Sequence, residues 1–279
     1  MYDEKIFLQE LQGAIRANHI TLPTLPEVAL RVRDAAESET STAREIASIV
    51  SSDAAVSARL LQVANSAMYR ASSPIDSIQV AVTRLGVRMV RSLVVSLAMQ
   101  GLFQPTSDAV DRRFRRIWEH SVEVAAISRV LARLQPQLDN EQAMLAGLIH
   151  DIGALPILVH AQDKHDLIED EAQLDLLLAR LSPIVGKQIL EAWSFSSSMV
   201  AVPEHCNDYS YNGGPQADYT DLVIVARLQS LGESGHPDAA LNWDDIPSFE
   251  KLGLSSDIEV VEMEGAQEEM GEVREIFMG

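Results

Sequence analysis

The chain has a single cysteine, Cys206, among its 279 residues. One cysteine cannot form an intramolecular disulfide framework or a cysteine-based zinc finger. The first residues, Met1 to Lys5, lack a basic stretch followed by an apolar run, so no secretory signal is predicted. We therefore expect a cytoplasmic protein that is long enough to be stabilised by its core alone.

Basic residues are also scarce. The chain has 22 Lys and Arg residues against 41 Asp and Glu residues, which gives a formal net charge of −19. Residues 233–279 hold 13 acidic and 2 basic residues, so much of the excess lies there. Since a nucleic-acid-binding surface carries the opposite sign, we do not expect a nucleic acid as the main partner. The basic run Arg112–Arg116 has two interpretations: a solvated helix face, which we favour, or a phosphate contact.

No apolar run is both long enough and free enough of charge to predict a membrane span. Residues 143–161 come nearest, because they are apolar apart from His150, Asp151 and His160. Asp151 in the centre, together with Pro156, argues against a bilayer location. The segment is better explained as a buried core element with ionisable groups in its middle. Buried ionisable groups need partners, so a functional site is expected here and a membrane contact is not.

Helical periodicity covers almost the whole chain, and no segment alternates convincingly enough to predict a strand. Asp53 is the expected cap of one helix, and Asp76 or Ser77 of the next. The remaining helices are predicted at about residues 3–18, 26–38, 42–51, 87–100, 111–134, 140–150, 153–161, 170–181, 184–192, 197–206, 217–231, 247–252 and 258–277. The predicted fold class is therefore all-α.

A stretch rich in Pro, Ser and Asp at 104–108 is the clearest linker in the chain. We place a subdomain boundary there and expect two helical subdomains that pack against each other. The predicted division is 1–105 for the N-terminal subdomain, 106–232 for the second subdomain and 233–279 for an acidic helical extension.

His150 and Asp151 are the central candidate site because they lie in the middle of the apolar segment. An imidazole beside a carboxylate suits a divalent ion such as Mn, Fe, Zn or Mg. Adjacent helical residues point about 100° apart, so both can hold one ion only if it sits between them at a helix end. Further ligands must come from elsewhere. His120 is the candidate, since it lies on the long helix that we expect to pack against this segment.

Two stretches resemble the HD superfamily of metal-dependent phosphohydrolases, namely Trp118–Ser121 with Val124-Ala125, and Ala146–Gly153. The region before them narrows the resemblance to the HDOD (HD-related output) domain of bacteria. The upstream motifs are, in order, Leu22–Pro26, Ile49–Asp53, Ala64–Tyr69 and Ala81–Gly86. The resemblance continues through Val185–Trp193 to His205 and covers roughly residues 20–230.

The resemblance implies an all-helical signalling protein, in which a degenerate HD-like subdomain packs on the N-terminal one. Members of the family are generally regulatory and often lack a complete catalytic site. Where dinuclear relatives have two further histidines and an aspartate as ligands, this chain has Ser182, Cys206 and Arg227. When the chain is matched to the family's metal ligands residue by residue, the positions that keep a ligand are His120, His150, Asp151 and His205.

Among the three differences from the dinuclear relatives, Arg227 has the largest chemical effect. A guanidinium group is always charged and has no lone pair to offer a metal. If it points where the lost aspartate pointed, it would repel a divalent cation and pair with Asp151 instead. Two interpretations of the site follow: a hydrogen-bonded remnant, which we favour, or a weak residual metal site.

Two functions from different classes stay open. The first, which we favour, is a non-catalytic module that needs no cofactor and binds bacterial signalling proteins through its N-terminal helices. The second is a phosphohydrolase for a phosphate ester or nucleotide, in which His120, His150 and Asp151 hold an ion that activates water. Asn65-Ser66, near a helix end, is expected to satisfy backbone groups or, alternatively, to form part of an interaction surface. A homo-oligomer is compatible with both functions.

Overall fold

The computed structural model describes residues 3–17, 19–37, 41–69, 74–103, 108–231, 238, 241–255 and 258–278. Within these ranges every regular element is a helix and none is a strand. The prediction of an all-α fold is therefore confirmed. Residues 104–107, which make up most of the predicted subdomain boundary, lie outside the described residues.

The described part of the N-terminal region contains six α-helices, four of which begin at a side-chain cap. Asp3, Thr42, Asp53 and Ser77 each accept a hydrogen bond from a backbone N–H group of the first turn. These caps replace the intrahelical partners that the first N–H groups lack. The helices are α1 (Glu4–Arg16), α2 (Glu27–Glu37), α3 (Ala43–Ser51), α4 (Ala54–Ala64), α5 (Ile78–Leu85) and α6 (Val87–Leu102).

Seven helices follow the predicted boundary. They are α7 (Asp108–Ala132), α8 (Asn140–Ile149), α9 (Ala154–Ala161), α10 (His165–Glu169), α11 (Glu171–Ala192), α12 (Ser197–His205) and α13 (Tyr219–Leu231). The long α7 packs along α8 and α13, and α11 packs on α9 and α12. The turn between α8 and α9 therefore lies between α7 and α11. The short α10 was not predicted from the sequence.

The predicted break near Pro183 is wrong. The pattern predicted separate helices at 170–181 and 184–192, but α11 is continuous with Pro183 inside it. A proline within a helix leaves the carbonyl group four residues earlier without its usual donor. Here that carbonyl group belongs to Ala179, and the side-chain amide of Asn207 donates to it at 3.4 Å. A residue from a distant loop thus compensates for the proline.

The C-terminal region contains α14 (Pro247–Leu252) and α15 (Ala266–Met278) among its described residues. The single helix predicted at 258–277 is wrong in its first part, which forms a 3₁₀ turn, Val260–Glu262. Gly265, with a φ of 72°, then separates this turn from α15. Glycine has no Cβ atom and adopts this left-handed conformation at little cost, so the chain changes direction there.

Hydrogen bonds to its last carbonyl groups join α15 to helices on both sides of the predicted boundary. Arg59 of α4 donates to Ile276 O at 2.7 Å, and Gln100 of α6 donates to Phe277 O at 3.1 Å. Trp118 Nε1 of α7 also donates to Phe277 O, at 3.3 Å. The last carbonyl groups of a helix have no intrahelical partner, so these donors satisfy them. The terminal helix thereby links α4 and α6 to α7.

A buried polar cluster reinforces this link. Glu141 of α8 is 3% exposed and accepts hydrogen bonds from Tyr69 Oη at 2.6 Å and from Arg129 at 2.9 Å. Arg129 also pairs with Glu269 of α15. Burial and the negative charge of Glu141 raise the pKa of Tyr69, so its hydroxyl group stays protonated and donates. Since each buried charge has an opposite partner, the cost of desolvation is offset.

The apolar segment around α8 and α9 lies in the core. Among the described residues, 140–161 is one stretch that is long and apolar enough to cross a membrane, with a mean hydropathy of 1.5. However, 83% of its most apolar part is buried inside the protein. The core cluster that contains it runs from Phe7 of α1 to Phe277 of α15. The segment is therefore a pair of core helices.

Two glycines in this segment let neighbouring backbones approach closely. A Cβ atom on Gly147 would lie 2.6 Å from the backbone N of Ala125 in α7. A Cβ atom on Gly153 would lie 2.5 Å from Gly186 N in α11 and would overlap the carbonyl group of Ser182. The two glycines therefore set how closely α8 and α9 pack against α7 and α11.

We expect Gly153→Ala to lower the free energy of unfolding by about 2–3 kcal/mol, because the added methyl group overpacks a backbone contact. Gly271→Ala is the matched control, since Gly271 lies within α15 and its Cβ position faces open space. Alanine there should stabilise the helix by up to about 1 kcal/mol. Urea unfolding followed by circular dichroism measures both changes. Similar values for the two variants would contradict a tight contact at Gly153.

Candidate metal centre

The structure brings His120 of α7 together with His150 and Asp151 at the turn between α8 and α9. One ligand atom from each of the three residues lies within 4.8 Å of the other two. The two imidazole rings are 5.3 Å apart between centroids. Ligand atoms that each lie about 2.0–2.2 Å from one ion are about 3–4 Å from one another. The cluster is therefore close to the spacing that a single divalent ion needs.

The hydrogen bond of His150 leaves one ring nitrogen directed at the cluster. His150 is 1% exposed, and its Nδ1 lies 2.7 Å from Gly147 O. A carbonyl group only accepts, so Nδ1 carries a proton, which leaves Nε2 as the ring nitrogen that can offer a lone pair to a metal. Nε2 lies 3.3 Å from Asp151 Oδ2 without hydrogen-bond geometry, and is a buried polar atom with no hydrogen-bond partner. Metal-ligating histidines are held in this way, so the three residues fit a divalent cation.

Asp151 is ionised at neutral pH. Burial raises the pKa of its carboxyl group and is the largest single effect, but His150, Arg227 and His120 together outweigh it. The net result is a pKa well below the usual range of an aspartate. An ionised carboxylate can ligate a cation or accept hydrogen bonds.

A cleft of about 390 Å³ opens beside the cluster, and Asp151, Ser182 and Arg227 line it together with Tyr209 and Asp238. Arg227 points into this cleft. However, the direct Arg227–Asp151 ion pair expected from the sequence is not found among the ion pairs of the described residues, where Asp151 Oδ2 instead lies 3.3 Å from His150 Nε2. Arg227 Nη1 instead donates to Cys206 O at 2.7 Å.

The hydrogen bond of Arg227 has a local cause. Cys206 directly follows the last residue of α12 and caps it, and the last carbonyl groups of a helix lack intrahelical donors. These groups also lie at the negative end of the helix dipole, which favours a cation. Arg227 therefore satisfies the end of α12, and its charge acts on Asp151 across the cleft.

The other expected ligand positions do not join the three-residue cluster. Ser182 is 4% exposed and lines the cleft from α11. The ring of His205 packs against Tyr211, with 5.1 Å between centroids, and its Nε2 lies 3.8 Å from Glu204 Oε2. His205 is not in the group of ligand atoms that lie within 4.8 Å of one another.

Two cleft residues were missed by the sequence analysis. Tyr209 Oη donates to Asp238 Oδ2 at 2.5 Å. Burial, together with this carboxylate, raises the pKa of Tyr209 to about 12, although Arg227 opposes the shift. The position of Tyr209, just after His205 and Cys206, was a usable signal. Asp238 gave none, because it is one of many acidic residues in the C-terminal region.

Asn65 satisfies backbone groups on two segments. Its side-chain amide donates to Leu61 O at 2.9 Å and to Ile75 O at 2.8 Å, and its side-chain oxygen accepts from Ile75 N at 2.8 Å. These bonds connect the end of α4 to Ile75, which lies shortly before α5. Ser66 lines a separate cavity of about 310 Å³, together with Glu272 and Glu275 of α15.

We expect Cys206 to be unreactive in the folded protein at pH 7.5. The thiol is buried, and burial raises its pKa to about 12, although Arg227 opposes the shift. The reactive thiolate is therefore almost absent. Iodoacetamide labelling followed by intact-mass spectrometry should show no adduct on the native chain and one adduct after unfolding in urea. Complete labelling of the native chain at the rate of an exposed thiol would contradict this assignment.

Comparisons with known proteins identify the fold and the family of the chain. The chain is similar to a Shewanella amazonensis SB2B protein that carries the provisional name metal-dependent phosphohydrolase. The two are 28% identical, with a TM-score of 0.83 over 99% of this chain and 100% of that chain. An HDOD domain protein with unknown function from Geobacter sulfurreducens is 23% identical, with a TM-score of 0.68 over 99% and 100% of the two chains.

A third solved structure, from Marinobacter aquaeolei VT8, has the provisional name signal transduction protein. It is 21% identical, with a TM-score of 0.69, over 99% of this chain and 66% of that chain. An uncharacterized protein from Treponema pallidum (strain Nichols) is 26% identical over 137 residues, which is 47% of this chain and 25% of that protein. The match thus spans a quarter of the length of that relative. The HDOD domain family matches residues 22–209, which is more than half of the sequence, and the chain belongs to this family.

Proposed function

We propose that this HDOD domain is a non-catalytic regulatory module of a bacterial, cytoplasmic signal-transduction system and acts by binding signalling proteins. The position of Arg227 carries the proposal. Its guanidinium group lies in the cleft beside Asp151, offers no lone pair to a metal, and opposes a divalent cation with its fixed charge. The provisional name of the Marinobacter aquaeolei relative agrees with this role.

The proposed module has three parts with separate tasks. Residues 1–105 form the subdomain that contacts partners, and residues 106–232 form the HD-like subdomain with the degenerate ligand set. The acidic extension, 233–279, holds the two together through the hydrogen bonds that Arg59, Gln100 and Trp118 make to the end of α15.

A second candidate function is metal-dependent hydrolysis of a phosphate ester or nucleotide. The observation that favours it is the lone pair of His150 Nε2, which is buried without a hydrogen-bond partner. His120, His150 and Asp151 would hold a divalent ion such as Mn, Fe, Zn or Mg. Such an ion, when bound, supplies a Lewis acid and activates water. Arg227 would then contact the anionic substrate from the other side of the cleft.

Elemental analysis separates the two functions. We expect protein purified without added metal to contain well below one equivalent of Mn, Fe or Zn, because Arg227 disfavours a cation. His150→Ala should not change this content, nor should His165→Ala, in which an exposed histidine is removed as the control. About one equivalent of metal that is lost in His150→Ala alone, with manganese-dependent hydrolysis of bis(p-nitrophenyl) phosphate, would overturn the non-catalytic proposal and support the hydrolase.

The variant Arg227→Asp tests the role of Arg227 directly. In the metal-free protein we expect the free energy of unfolding to fall by roughly 2–3 kcal/mol, because a second carboxylate is placed beside Asp151 and the end of α12 loses its donor. Added Mn or Zn should recover stability in proportion to its binding, since the variant supplies another ligand. Melting curves with and without metal measure both effects.

The control for this experiment is Arg227→Gln, which removes the charge without supplying a carboxylate. It should lose stability as well, but it should gain less from added metal than the aspartate variant. If Arg227→Asp melts like the parent and does not respond to metal, then Arg227 does not occupy the position of the missing ligand.

A further inference from the structure

The cleft beside the candidate metal centre contains two groups of opposite charge that do not pair with each other. Asp151 and Arg227 both line it, but no ion pair between them is found among the described residues. The volume of the cleft, about 390 Å³, is many times the roughly 10–15 Å³ that one water molecule needs. A small organic molecule therefore fits, and the lining indicates which chemical groups it carries.

The Asp151 end of the cleft has acceptors that lie close together. Its carboxylate is 3.3 Å from His150 Nε2, which has no hydrogen-bond partner among the described residues. Because Nδ1 of this ring carries a proton, Nε2 offers a lone pair, and the carboxylate oxygen also only accepts. His120 brings a further ring nitrogen within 4.8 Å of both. Acceptors buried this closely need a donor or a cation between them.

A primary ammonium group meets this need. It has three N–H donors and one positive charge, and it accepts no hydrogen bond. Acceptors placed about 2.9 Å from such a nitrogen in tetrahedral directions are about 4.7 Å apart, and bent hydrogen bonds allow shorter spacings. The cluster lies within these limits. Arg227 also opposes a single positive charge less strongly than the double charge of a divalent ion.

The Arg227 end of the cleft suits a carboxylate. Nη1 donates to Cys206 O, and Tyr209 lies against the guanidinium group. Nε, however, is a buried N–H group that has no hydrogen-bond partner among the described residues. A buried donor without an acceptor is costly, and the edge of a guanidinium group binds a carboxylate through two parallel hydrogen bonds. A ligand carboxylate would therefore satisfy the donor that the protein leaves unpaired.

The cleft also has an apolar lining, formed by Ile117 of α7, Ala154 of α9, and Leu178 and Ala179 of α11. An aliphatic group that is buried against these side chains gains from the hydrophobic effect. The remaining carboxylate, that of Asp238, already accepts a hydrogen bond from Tyr209. The lining thus favours an aliphatic side chain over a second cationic group.

We propose that this cleft binds a free α-amino acid with an aliphatic side chain. The ammonium group lies at His120, His150 and Asp151, and the carboxylate lies at Arg227. This rests on the proposed function, because an ammonium group and a divalent ion compete for the same side chains. Binding stabilises the packing of α7, α9, α11 and α13, which line the cleft, by the free energy of binding. The amino acid is then a signal that the regulatory module detects.

Isothermal titration calorimetry with L-leucine, on the full chain after treatment with EDTA, tests the proposal. Two analogues each lack one charged end: 4-methylpentanoate has no ammonium group, and 3-methylbutylamine has no carboxylate. We expect one leucine to bind per chain and each analogue to bind at least about tenfold more weakly, since a charge-assisted interaction is lost. The proposal is overturned if leucine, isoleucine and valine show no saturable binding at millimolar concentration, or if either analogue binds as tightly as leucine.

Variants locate the bound amino acid. Asp151→Asn keeps the shape of the side chain without its charge, and Arg227→Gln removes the guanidinium group, so each should weaken leucine binding at least about tenfold. The matched controls are Asp166→Asn and Arg115→Gln, at exposed positions outside the cleft, which should leave binding unchanged. Binding that survives both cleft variants overturns the proposal, because the amino acid then lies elsewhere. If a cleft variant unfolds, the analogues still decide on the parent chain.

The amino-acid site and the non-catalytic role fail in different experiments. In a chain with little metal, absence of leucine binding overturns the amino-acid site alone. About one equivalent of metal that is lost in His150→Ala overturns the non-catalytic role, and leucine binding after EDTA removes that metal then decides the amino-acid site separately.

Discussion

The candidate site depends on the close backbone contacts at Gly147 and Gly153. Because neither residue has a side chain, α8 lies against Ala125 of α7 and the start of α9 lies against Gly186 of α11. These contacts place the turn that carries His150 and Asp151 between α7 and α11, the two longest of the described helices. His120, one turn before Val124 on α7, reaches the turn for the same reason. The arrangement of the ligands is thus a consequence of helix packing.

Arg227 determines how the charges of the cleft are balanced. Two carboxylates, Asp151 and Asp238, line the cleft with it, and its positive charge helps to keep Asp151 ionised. Its hydrogen bond goes to the end of α12, so one side chain both caps a helix and neutralises the site. Within the proposed function, this residue lets the chain keep three HD-type ligands as a folded polar core that does not depend on an ion.

Polar side chains connect helices that are distant in sequence, in addition to the contacts that these helices make in the apolar core. Arg59, Arg129 and Arg33 each donate to a group on a different part of the chain, namely the end of α15, Glu141 of α8 and the Trp193 carbonyl group. Such bonds have directions, so they fix the relative orientation of the helices as well as their distance. A molecule that binds at these groups therefore changes the free energy of packing between those helices, as linkage requires.

The sequence alone determined the helices, because apolar periodicity and caps such as Thr42, Asp53 and Ser77 act within a few residues. Its motifs also pointed to His120, His150 and Asp151. Only the tertiary structure decided the course of the chain at Pro183, where Asn207 replaces the lost donor. It also decided the partner of Arg227 and the entry of Asp238 into the cleft. Each of these depends on groups far apart in sequence, which only packing brings within hydrogen-bond distance.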